Sequence, residues 1–156
     1  MVPLSLFIQL ALITAGVLTD CHSRRIANGL VLVLLLHGLG ASWLFDTPAR
    51  DVTGALSGVA MGLALWFPAW LRGILGAGDV KFFAAGAAWI GPSLTWRTAL
   101  VAALLGGVYA AWWLLRHRLQ ASPRPIGPMP YAVPLGCALV LATLAPHVVR
   151  SWWVWL

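Results

Sequence analysis

Residues 52–71, VTGALSGVAMGLALWFPAWL, pass without one charged side chain, over about the length an α-helix needs to cross a bilayer. Comparable apolar runs occupy 2–19, 28–45, 96–115 and 131–149, with a shorter one at 80–92. In hydrocarbon every backbone N–H and C=O must be bonded within the protein, so runs of this kind read as helices. The sequence therefore predicts an all-α, polytopic membrane protein with about six transmembrane helices. The fourth is short enough to be a buried or re-entrant segment. Composition agrees, since 61% of residues are hydrophobic and 9% charged, against about a quarter charged in soluble domains. Residues 1–156 read as a single integral-membrane domain. The first run lacks a basic leader and a small-residue exit, so it reads as a permanent span and not as a cleaved signal peptide.

The ten basic residues, which set the net charge of +6, fall one to three at a time between the apolar runs. That scatter excludes the clustered basic face expected of a nucleic-acid-binding protein. Arg24 and Arg25, Arg72 and Lys81, and Arg116, Arg118 and Arg124 lie in or beside the odd-numbered connections. Only Arg50, Arg97 and Arg150 lie on the other side. Cationic loops stay in the cytoplasm, so the odd connections are expected there, with both termini outward. Trp152, Trp153 and Trp155 suit an interfacial anchor at the end of the last span.

Against this topology the four acids separate into two kinds. Asp46 and Asp51 bracket the short outer turn DTPARD, where aspartate commonly builds turns. Asp20 closes the first span and Asp79 opens the fourth in GAGDVK. Both are expected at the cytoplasmic rim, where a carboxylate is costly and marks a functional site with a partner. Two such groups in one enclosed site would share a proton. Repulsion and desolvation would lift one of them above the ordinary aspartate range. One acid and one base from the same residue type is what aspartic proteolysis requires. Gly76 and Gly78 would leave room for an extended peptide backbone; equally, they could break one helix while Asp79 caps the next.

These residues resemble the type IV prepilin peptidases, a family of intramembrane aspartic proteases. GAGDVKFFAAGAAWIG is similar to that family's GxGD-x-K segment, and TDCHSRRIANGL to its other aspartate segment. GPMPYAVPLGCAL resembles the segment opening its last helix. The resemblance implies that Asp20 and Asp79 form the catalytic pair and that no cofactor is needed. The substrate it implies is a prepilin or pseudopilin, cut on the cytoplasmic side of its apolar helix at the bacterial inner membrane. Such cleavage serves pilus assembly or type II-like secretion. Ala27 stands where the family usually carries proline, and there is no insertion with paired CxxC motifs. The chain therefore resembles the short, peptidase-only members serving Tad/Flp-type pili, without the methyltransferase region.

Other residues carry two readings each. Lys81 could support Asp79 or hold substrate, or could snorkel to the headgroups. Asn28 could position the substrate backbone or cap the second helix, and His22 could hydrogen-bond Asp20. His37, His117 and His147 are not at ligand spacing, nor are Cys21 and Cys137, so no metal site is expected. The rival reading is a small transporter or channel with Asp20 and Asp79 as a proton or cation relay. Such a relay would tend to place an acid in mid-span, and none is present.

Overall fold

The computed structural model describes residues 2–45, 47–119 and 129–151, so Asp46, residues 120–128 with Arg124, and the terminal tryptophans lie outside the described residues. The described residues are helical, with no strand among them. The elements in order are α1 (Val2–Ser23), α2 (Asn28–Leu44), α3 (Val52–Leu71), α4 (Ala77–Arg118), α5 (Ala132–Leu144) and α6 (Pro146–Ser151). Three stretches are long and apolar enough to cross a membrane: Leu4–Ser23, Val52–Leu71 and Ala77–Arg116. Asn28–Leu44 and Ala132–Leu144 are shorter apolar helices. Leu4, Phe7, Leu18, Leu36 and Trp43 point outward, whereas Gln9, Thr95 and Thr98 are fully buried. A water-soluble bundle would reverse that arrangement, because its outward face must be polar. The chain is a helical membrane protein.

Several boundaries differ from the sequence expectation. α1 continues four residues past the expected end of the first span, so Asp20 sits in its last full turn. The sixth run is divided at Ala145, ahead of Pro146, into α5 and α6. Proline disfavours helical backbone in the residue before it. The fourth and fifth runs, expected as separate helices, belong to one element, α4, with non-helical backbone inside it only at Gly91.

Gly91 turns α4 back on itself. Its φ of 69° and ψ of 174° fall in a region open essentially to glycine alone, and Pro92 follows it. Asp79 and Ala110 line one cavity, yet a straight helix would hold those positions about 46 Å apart. Residues 77–90 and 92–118 are therefore two arms returning to the same end of the bundle.

The first arm is the bundle's central column, buried continuously from Phe82 to Ile90. Its run of alanines lets four other helices close on it. Gly58 and Gly62 of α3 meet Ala87 and Ala84, Gly38 of α2 meets Ala88, Gly86 faces Leu139 of α5, and Gly16 of α1 receives the Phe82 ring. Small residues at such crossings allow the close backbone contact that drives helix association in lipid. Asp51 caps α3, accepting from the Gly54 N–H at 2.6 Å.

A polar cluster joins α1, α2 and α4. His37 Nδ1 lies 3.0 Å from Gln9 Oε1 and Nε2 lies 3.2 Å from Ser5 Oγ. A carbonyl oxygen can only accept, so Nδ1 donates; in the neutral ring Nε2 then accepts from the Ser5 hydroxyl. The ring stacks on Trp89 with centroids 5.5 Å apart.

Candidate active site

Three helix ends meet at one end of the bundle. α1 carries Asp20 in its last full turn and is followed by Arg24, which takes a left-handed φ of 55°. α4 starts after Gly76, and Asp79, three residues on, accepts a hydrogen bond from the Gly76 N–H at 3.2 Å. α5 starts at Ala132, whose N–H donates to Asp20 Oδ2 at 3.3 Å across 112 residues of sequence. Each carboxylate thus occupies a helix N-terminus, Asp79 its own and Asp20 that of α5. Such ends present unpaired N–H groups and partial positive charge to an anion.

The two carboxylates line a single cavity of about 530 Å³ with Arg24, Gly76, Ala110 and Tyr131. Asp20 is 7% exposed, Asp79 is half-buried, and the charge of Asp20 is felt at Asp79. The Arg24 guanidinium acts on Asp20 and lies 5.8 Å from the centre of the Trp113 ring. Leu75, buried, and the left-handed Gly73 shape the α3–α4 connection along the wall. Two carboxylates lining one cavity can share one proton, leaving one group to accept a proton from water while the other donates.

The remaining candidates separate. Gly76 lines the cavity, whereas Gly78, Lys81 and Asn28 do not. Neither Gly76 nor Gly78 takes a left-handed backbone, so conformational freedom does not explain them. A Cβ at Gly76 would come within 3.2 Å of Asp79 Oδ2, while one at Gly78 would meet Ile26 at an ordinary 3.7 Å. Asp79 accepts the Gly76 N–H at the start of α4 and also lines the cavity. Asn28 does not cap α2: Ala27 holds that position and makes no side-chain bond. Lys81 is exposed one residue beyond buried Val80. Replacing it with methionine should leave cleavage within about two-fold, as for an ordinary surface change. A fall above ten-fold in a leader-cleavage assay would place it in the substrate's path.

Sequence reasoning did not single out Tyr131, Ala110 or the Ala132 N–H. The Pro-Tyr dipeptide was a signal for the first. Ala110 has none, because only the fold-back at Gly91 brings it to the cavity. Among the described residues no three His, Cys, Asp or Glu side chains stand together as a metal site would need.

The fold and the cavity define an all-helical membrane protein with two aspartates at one site. Residues 6–111 match the type IV leader peptidase family, and the chain belongs to that family. It is 32% identical over 114 residues to the type 4 prepilin-like proteins leader peptide-processing enzyme of Escherichia coli O78:H11, covering 69% of this chain and 42% of that protein. It is 32% identical over 117 residues to the prepilin leader peptidase/N-methyltransferase of Xanthomonas campestris pv. campestris, covering 70% of this chain and 40% of that one. The protein of the same name from Bacillus subtilis is 29% identical over 154 residues, or 97% of this chain and 59% of its own. The chain thus spans from two fifths to three fifths of the length of these relatives. No solved structure matches it.

Proposed function

We propose that this chain is an aspartic endopeptidase that removes the leader peptide from prepilin-like substrates at the cytoplasmic face of the bacterial inner membrane. It would support pilus assembly or type II-like secretion. The observation that carries the reading is the convergence of Asp20 and Asp79 on one cavity. In this reading the ionised carboxylate takes a proton from water as the water attacks the scissile carbonyl. The protonated carboxyl donates to the carbonyl oxygen, and the pair returns a proton to the departing amine. In this reading Asp20, bonded by the Ala132 N–H and beside Arg24 on the cavity wall, is the base and Asp79 the acid. The cavity is large enough for a short extended segment of backbone, and no cofactor takes part in these steps.

The single domain over 1–156 crosses the membrane about six times in this reading, counting the two arms of α4 separately, with both termini outward. The connection before α5 then faces the cytoplasm. A cysteine placed at Ser122 should react with a membrane-impermeant maleimide only after the cytoplasmic side is opened. Labelling from the periplasmic side of intact cells would reverse the orientation and remove the substrate argument with it. The activity itself is tested by processing of a co-expressed prepilin when Asp20 and Asp79 are replaced in turn by asparagine. Processing by both variants would end the paired-acid mechanism.

A further inference from the structure

We propose that Tyr131 is a positioning residue that sets the spacing of the two carboxylates through an interlock with Gly106. The inference rests on the peptidase reading of the site. Tyr131 immediately precedes the residue whose N–H holds Asp20, so wherever its ring is fixed, that donor is fixed too. Its ring is seated against two other elements. It meets Trp66 of α3 edge-on, with centroids 6.4 Å apart, and its hydroxyl end occupies the space left by the missing side chain of Gly106 in the second arm of α4. A Cβ at 106 would overlap that hydroxyl and stand 2.6 Å from Cζ.

The contact continues to the second acid. Trp66 meets Phe83 edge-on at 5.8 Å, and Phe83 lies one turn beyond Asp79 on the same face of α4. Tyr131 therefore bears on Asp20 through its own backbone and on the turn carrying Asp79 through two packed rings. It also lines the cavity between the two acids. A Cβ at Gly107, the exposed next residue, would have nothing within 4 Å, so of these two adjacent glycines only Gly106 leaves space that Tyr131 fills.

The test uses the full chain, purified in detergent, with a purified prepilin as substrate. Gly106→Ala should displace the ring and lower kcat about ten-fold or more, since small misplacements in a catalytic pair are costly. KM should stay within about two-fold. Gly107→Ala should match wild type in both. Tyr131→Phe keeps the packed ring and should retain kcat within about three-fold, whereas Tyr131→Leu should fall as far as Gly106→Ala. With the ring gone, the added methyl has nothing to displace, so the double variant should equal Tyr131→Leu alone.

Wild-type kcat in Gly106→Ala, or losses that multiply in the double variant, would overturn the interlock. If Gly106→Ala fails to insert, the two Tyr131 variants decide, and wild-type kcat in Tyr131→Leu refutes the proposal. A wild-type protein that leaves the prepilin uncut removes the peptidase reading and the interlock together. Cleavage by wild type and Gly106→Ala alike removes the interlock alone.

Discussion

Asp20→Asn and Asp79→Asn should each stop leader cleavage while the protein still inserts and folds. Asparagine has nearly the shape of aspartate, and its amide oxygen can still accept the bond from the Ala132 N–H at position 20 or from the Gly76 N–H at position 79. What it cannot do is exchange a proton with water or substrate near neutral pH. Losing one positioned proton-transfer group costs about a hundred- to ten-thousand-fold, enough to leave no processed pilin in a co-expression assay. Removing one of two carboxyl groups from a shared cavity also relieves the cost of holding both there. Each variant should therefore unfold in detergent at a temperature equal to or above wild type. Loss of cleavage with undiminished stability separates a reacting group from a structural one. If either variant cleaved at the wild-type rate, its aspartate would have no part in the chemistry.

Gly91→Ala should have the largest effect on folding. Its backbone lies where a Cβ is strained, at about 1–3 kcal/mol, and the added atom would stand 2.8 Å from the Ala49 Cα. Forcing extra volume into a packed interior costs about 1–3 kcal/mol more, so the combined penalty takes much of a typical margin of about 5–15 kcal/mol. The Ala49 N–H also donates to the Trp89 carbonyl at 3.2 Å beside the turn, so displacement there unseats the link between α2 and α3. The folded protein recovered from membranes should drop sharply, and its residual activity with it. Gly40→Ala is the matched control, because nothing lies within 4 Å of its Cβ position and alanine is the better helix former. Wild-type yield from Gly91→Ala would show that the fold-back does not depend on that glycine.

These two outcomes probe opposite kinds of information. Asp20 and Asp79 stood out in the sequence because a charge within apolar sequence is rare and costly wherever it lies, whatever surrounds it. Gly91 did not stand out among sixteen glycines, since neither φ nor the position of Ala49 is written in hydrophobic periodicity. The GAGD segment was ambiguous for the same reason. A cap and a reactive acid call for the same residue at the same place, and Asp79 both accepts the Gly76 N–H and lines the cavity. Asn28 misled because a good capping residue at a helix start need not be the residue at the cap, and here the boundary falls one residue earlier at Ala27.

Taken alone, the sequence determined the solvent, the all-helical class and the two acids that line the cavity, because transfer into lipid depends on composition over about twenty residues and hardly on partners. The tertiary structure decided the rest. The return of α4 at Gly91, the closure of four helices on a column of alanines, and the delivery of the Ala132 N–H to Asp20 depend on contacts between residues distant in sequence. Such contacts are set by shape and backbone geometry, to which a one-dimensional pattern of polarity is blind.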